Sequence, residues 1–289
     1  MKRLILCLAV FTAPLLILAQ DSTRWSVTAG FEANSIPVID PSKVDSSGSS
    51  LNISPYVKLM LGSGLGITAK TYFLTGGPHP GYYMTAIAPF YAVDNKKIGL
   101  DISYQHFFLQ HNAALPYTPI TNEIYASFTY KRKGISPRLG FDYGFGTDTS
   151  NNTSTGAHDI NIFLGATQSF DKELGDDVSL NFTPSLLLNV GTDRYFSFLT
   201  SSKFITHNKN FRKLVKTRGK GNGNGNNSQT TAASLPGLGI NNLEANLDFT
   251  LSVGNFSIEP VGSIYIPFTG DDKSVFGYWQ LGVSYKFGR

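Results

Sequence analysis

From residue 24 onward, apolar and polar side chains alternate with period two in short segments, and the links between those segments are alternately short and long. Between 242 and 253, Leu243, Ala245, Leu247, Phe249, Leu251 and Val253 share one phase, with Asn242, Glu244, Asn246, Asp248, Thr250 and Ser252 on the other. The last segment sets Trp279, Leu281, Val283, Tyr285 and Phe287 against Tyr278, Gln280, Gly282, Ser284 and Lys286. A side-chain period of two is that of a β-strand with one apolar face. Twelve such strands are expected, over 24–33, 51–60, 65–74, 82–93, 98–108, 122–131, 136–146, 158–170, 178–191, 242–253, 256–266 and 276–287. Most are about 10 residues long, the length that crosses a bilayer when a strand is tilted. In 82–93 the run Tyr82, Tyr83, Met84 leaves the phase open.

The links at 61–64, 94–97, 132–135, 171–177 and 254–255 are short; those at 34–50, 75–81, 109–121, 147–157, 192–241 and 267–275 are longer and polar. Tight turns at one end and long loops at the other are the rhythm of an up-and-down transmembrane barrel, and a water-soluble sandwich gives no reason for it. Lipid cannot satisfy backbone polar groups, so a sheet that crosses it closes on itself. The expected fold class is therefore all-β: a transmembrane antiparallel up-and-down β-barrel of about twelve strands, with the apolar phase toward lipid and the polar phase toward the lumen. An even strand count puts both termini on the short-link side, expected to be periplasmic.

Composition agrees. Of 289 residues, 15% are charged and 13% aromatic, too polar for a helical membrane protein and too aromatic for a disordered chain. Lys2, Arg3 and the apolar run from Leu4 to Leu18 read as a secretory signal ending at Ala19, so 1–19 is expected to be removed and 20–289 to form a single barrel domain. The single cysteine, Cys7, lies in that signal, so the mature chain would hold no disulfide. Loss of Lys2 and Arg3 takes the formal charge from +4 to +2, which gives no reason to expect a nucleic-acid partner.

Five prolines, Pro55, Pro89, Pro137, Pro184 and Pro260, fall within strands on the apolar phase, in the half nearer the short links. Proline removes a ladder donor. Two explanations stand open: a shared bulged ring near that rim, or five independent interruptions. Trp25, Tyr91, Tyr130, Phe170 and Phe287 near the short links, and Phe73, Phe108, Phe145, Tyr278 and Trp279 near the long ones, suit two membrane interfaces.

In pattern, the whole mature chain resembles bacterial outer-membrane β-barrel proteins of the porin-like class. It looks most like uncharacterised barrels of Bacteroidota-type bacteria, through Ala19-Gln20 at the signal junction and a last strand ending Tyr285-Lys286-Phe287. No motif is specific to one named family. In that class an aromatic near the C-terminus is recognised by the barrel-assembly machinery; here Gly288-Arg289 follow it, where the aromatic usually closes the chain.

The residues expected to line the lumen include Glu32, Lys58, Lys70, Asp101, Glu123, Arg138, Asp142, Asp159, Glu244, Asp248, Glu259 and Lys286. They suit either a hydrogen-bonded filling or a narrow polar channel. Between 194 and 241 there are eight cations and no acid: Arg194, Lys203, Lys209, Arg212, Lys213, Lys216, Arg218 and Lys220, followed by the Gly/Asn run 221–227. Such a loop could contact anions, lipopolysaccharide phosphates or a partner. For catalysis, only His106 with Asn122 on the outward phase suggests a constellation, and Ser103 and Ser127 fall on the other phase. No cofactor or metal is called for: no HExxH or Cys pair is present, and His79, His111 and His207 lie in links. The expectations are thus an integral outer-membrane protein passing small polar solutes passively; next, a closed barrel that binds through its surface loops; and last, a lipid-modifying enzyme. The expected surroundings are outer-membrane lipid and lipopolysaccharide.

Overall fold

The computed structural model describes residues 25–39, 47–76, 79–110, 118–149, 154–192, 238–268 and 275–288, giving the backbone alone for 36–39, 47–49 and 276. Residues 1–24, which include the proposed signal, and the basic segment 193–237 lie outside the described residues.

The strands are β1 (Trp25–Ile39), β2 (Ser47–Leu61), β3 (Leu65–Leu74), β4 (Gly81–Asp94), β5 (Ile98–Leu109), β6 (Ile120–Tyr130), β7 (Ser136–Asp148), β8 (Thr155–Thr167), β9 (Phe170–Gly175), β10 (Val178–Gly191), β11 (Gly239–Val253), β12 (Phe256–Pro267) and β13 (Phe276–Gly288). Each pairs antiparallel with its neighbour, and β1 pairs with β13 from Ser26↔Gly288 to Asn34↔Gln280. The ring closes through β10–β11, from Val178↔Val253 to Gly191↔Gly239. Strands β8 and β9 both pair with β10, through Ser185↔Thr167 and Phe182↔Phe170, and act as one stave interrupted at 168–169. The chain is a closed antiparallel barrel of twelve staves.

The wall is inside-out relative to a soluble protein. Phe31, Val57, Leu59, Ile67, Ile102, Phe128, Leu139, Leu164, Leu186, Leu247, Ile264 and Leu281 are exposed on the outer surface, while Asn52, Ser54, Glu123, Asp142, Asn161 and Glu244 are buried inside. An outer face of this kind is stable where its solvent is hydrocarbon. Trp25, Tyr130, Phe170, Tyr285 and Phe287 project outward near the short turns, and Phe73, Tyr82, Tyr104, Phe108 and Trp279 near the other end. Tyr278, grouped by sequence with the interfacial aromatics, is on the inward phase beside Gln280.

The strands run past the expected spans. Residues 34–39 and 47–50, read as a loop, pair from Asn34↔Asn52 to Ile39↔Ser47, and β11 begins at Gly239, inside the segment read as the long loop. Residues 171–175, read as a link, form most of β9, leaving 176–177 as its turn to β10. Beyond the bilayer a strand needs no apolar phase to persist, so its sequence pattern fades before its pairing does. The two-residue turn 254–255 holds Gly254 at φ 56°, a left-handed conformation in which glycine is at ease.

The prolines do not form a bulged ring. At Pro55 the β2–β3 pairing skips from Ile53↔Phe73 to Tyr56↔Lys70, and at Pro260 the β11–β12 pairing skips from Leu251↔Ile258 to Asp248↔Val261, both without a register shift. Pro89 does the same toward β5, and Pro184 lies at the β8/β9 interruption. Each removes rungs on one side only, as a missing N–H requires. Three bulges lie at the long-link end, with Tyr83, Thr121 and Asn241 as the extra residues, and one at the short-turn end of β9, at Leu174, away from any of the five prolines.

Candidate functional site: the barrel interior

Alternation fixes which side chains reach the bore. Glu32, Lys58, Lys70, Asp101, Glu123, Arg138, Asp142, Asp159, Glu244, Asp248, Glu259 and Lys286 all lie on the inward phase of their strands. They do not form one cluster; the interior divides by depth. Toward the short turns, Asp101 and Lys286 are exposed to water within the ring, and Lys58, Arg138, Asp248 and Glu259 are half-buried. Toward the long links, Glu123, Asp142, Asp159 and Glu244 are buried.

Cations in the bore rest on aromatic faces. The Lys58 ammonium sits 4.7 Å from the centre of the Phe90 ring, and the Arg138 guanidinium 5.5 Å from that of Phe163. Arg138 Nη2 donates to the Tyr125 hydroxyl at 3.3 Å, and Tyr125 stacks on Phe163 at 6.1 Å. The Phe163 ring lies flat on Gly140, where a Cβ would come within 1.8 Å of its Cζ. The glycine lets the ring lie along the wall instead of projecting into the bore. Lys70 pairs with Glu32 across β2, its ammonium 5.1 Å above the Tyr72 ring.

The buried half has two walls that differ in make-up. On β8, β10, β11 and β12 the wall is amide and carboxylate. Asn161 Nδ2 donates to Asn189 Oδ1 at 3.1 Å, and Asn189 Nδ2 donates to Asn242 Oδ1 at 2.9 Å and Glu244 Oε2 at 3.0 Å. Glu244 Oε1 accepts from Asn246 Nδ2 at 2.7 Å and the Tyr265 hydroxyl at 3.3 Å. The arc resumes on β1 and β2, where Asn52 Nδ2 donates to Asn34 Oδ1 at 3.0 Å and Asn52 Oδ1 accepts from the Tyr83 hydroxyl at 2.9 Å. The facing wall, on β3 to β8, carries a buried apolar cluster of Leu74, Tyr83, Met84, Ala86, Phe107, Ile120 and Ala157, with the carboxylates of Glu123, Asp142 and Asp159 buried on the same strands. Sequence reasoning missed this cluster, because it assigned the inner phase to polar residues. Its trace was the unresolved phase at Tyr83-Met84, which the bulge at Tyr83 explains. The asparagines were legible as a polar phase but not as a connected network.

On the outer wall, His106 Nδ1 is 2.8 Å from Asn122 Oδ1, which also accepts from the Tyr104 hydroxyl at 2.7 Å. Asn122 Nδ2 donates to Thr121 Oγ1 and the Phe145 carbonyl, which orients the amide. The His106 ring meets Phe108 edge-on at 4.5 Å. Among the described residues, the hydroxyls bonded to this pair are those of Tyr104 and Thr121, both on Asn122. Nor does any group of three or more His, Cys, Asp or Glu among them suit a metal ion. The expected anion-contact residues Lys203, Lys209, Arg212, Lys213, Lys216, Arg218 and Lys220 lie outside the described residues.

No protein-family model and no curated protein matches the chain. Among solved structures, it is similar to the NanC porin at 8% identity, covering 91% of this chain and 100% of that one with a TM-score of 0.42. It is similar to the translocator domain of the autotransporter NalP from Neisseria meningitidis at 10% identity, covering 96% and 93% with a TM-score of 0.37. The likeness to Pseudomonas putida OprB is 9% identity over 96% and 97%, with a TM-score of 0.28. These likenesses are remote, and the barrel stands on the pairing of its own strands.

Proposed function

We propose that this chain is an integral outer-membrane barrel that lets small polar solutes pass passively, narrowed in the half toward the long links. The observation that carries the reading is the reversed polarity of a closed ring: an apolar outer belt around a largely polar inner phase. On this reading the short turns and both termini of the chain lie on the periplasmic side, and outer-membrane lipid with lipopolysaccharide surrounds the belt. The reading gives no catalytic task to His106. Purified, refolded protein in planar bilayers should produce discrete ionic conductance steps. A membrane that stays sealed at every applied voltage would contradict the reading.

A second reading has its own observation. Met84 and Ile120 are fully buried inside the ring, with Phe107 and Glu123 beside them, as in a barrel closed by its own side chains. Such a barrel would work through its surface loops. It predicts the sealed membrane, so the same recording separates the two.

A further inference from the structure

Below the buried layer, the bore holds a niche of half-buried groups that the passage of ions does not require. Glu32, Tyr56, Lys70, Tyr72, Tyr278 and Gln280 come together there from four strands, β1, β2, β3 and β13. Tyr56 is opposite Lys70 across the β2–β3 ladder, and its ring lies on Gly30, whose Cβ would approach Tyr56 Cζ to 2.9 Å. The Lys70 ammonium joins the Tyr72 face to the Glu32 carboxylate. The Tyr278 hydroxyl donates to Gln280 Oε1 at 3.1 Å, and Gln280 is opposite Asn34 across the β1–β13 ladder. Each of the six is half-buried, while Asn52, Ser54 and Tyr83 just beyond them are buried. The niche therefore borders the buried layer on its short-turn side and keeps partial access from there.

We infer that this niche binds neutral, hydroxyl-rich cyclic solutes, that is, small saccharides. Three features select that class. The two formal charges are engaged with each other, so a zwitterion or an anion would have to break the Lys70–Glu32 pair to gain a partner of its own. The remaining polar groups are hydroxyls and a carboxamide, which both donate and accept and so match sugar hydroxyls. Two of the tyrosine rings are held from one side by a neighbour, Gly30 under Tyr56 and Lys70 over Tyr72, which leaves the other side of each ring as a flat apolar face for the C–H side of a sugar ring. A few polar groups around an apolar surface is the usual make-up of a small-molecule site. The inference rests on the proposed passage only for the route by which solute arrives.

The test is direct binding to the full, detergent-solubilised barrel, titrated with maltose and, separately, with glutamate, and followed by calorimetry and tyrosine fluorescence. Saturable maltose binding is expected, with glutamate bound at least about tenfold more weakly. Tyr72→Ala should weaken maltose binding about tenfold. Tyr278→Phe, which removes one hydroxyl and leaves the packing, should weaken it by a smaller factor; this second variant guards against a folding defect in the first. No maltose binding, equal binding of glutamate, or affinity unchanged in both variants would overturn the inference. A sealed bilayer with maltose still bound would remove passage and leave the niche standing. Conductance without maltose binding would do the reverse.

Discussion

Asn189 is where two hydrogen-bond chains meet: its carbonyl takes the Asn161 amide, and its own amide serves both Asn242 and Glu244. Buried polar groups of this kind cost little while paired and much when orphaned. Asn189→Ala removes three partners at once from a region shielded from water. It should destabilise the barrel by about 1–3 kcal/mol, read as a lower denaturant midpoint on unfolding from lipid vesicles. Gly140→Ala tests packing. The added methyl would overlap the Phe163 ring and push it off Tyr125 and Arg138, an overpacking cost of about 1–3 kcal/mol. The inward phase of the charged residues was legible from alternation alone. What alternation hid was the apolar patch of Met84, Phe107 and Ile120. An apolar residue on the inner phase looks like a phase error until the bulge at Tyr83 is known, and a bulge has no fixed residue signature.

Within a single strand, phase decides what a substitution does. On β11, Leu247 faces outward in the middle of the span and Asp248, next to it, faces the bore. Leu247→Arg should cost about 2–4 kcal/mol of stability in a bilayer, whereas Asp248→Arg should leave folding nearly intact and alter only the bore. Equal destabilisation by the two would show the phase assignment to be wrong. The prolines obey a similar local logic. Pro89→Ala returns one N–H to the β4–β5 ladder, where the pairing now skips from Ile87↔His106 to Phe90↔Ser103. Stability should hold or rise by about 0.5–1 kcal/mol. Of the elements, the spans were legible because lipid imposes an apolar residue at every second position. Their extensions, such as 34–39 of β1 and the short β9, were not. There the backbone pairs for its own hydrogen bonds, and the side chains are under no such demand.

At the scale of the whole molecule, the chain is held together by closure. A soluble protein hides apolar side chains at its centre; here the hydrocarbon-facing belt is outside, and the centre holds amides, carboxylates and stacked cations. No single pair of strands would be stable in lipid, since each open edge would expose unpaired backbone groups. Joining β1 to β13, and β10 to both β8 and β11, removes those edges in turn. The depth division of the interior then follows from the same wall: charged and wet near the short turns, with buried amides, carboxylates and one apolar cluster above. Both uses proposed for the bore, passage and sugar binding, depend on the outer face being the lipid face. Single cysteines at Leu243, Glu244, Leu247, Asp248, Leu251 and Ser252, in a chain with Cys7 replaced or removed, can carry a spin label for collision measurements in lipid vesicles. Labels at 243, 247 and 251 should relax with oxygen dissolved in the bilayer, and those at 244, 248 and 252 with a water-soluble nickel complex. Equal access of the nickel complex to all six positions would contradict the account.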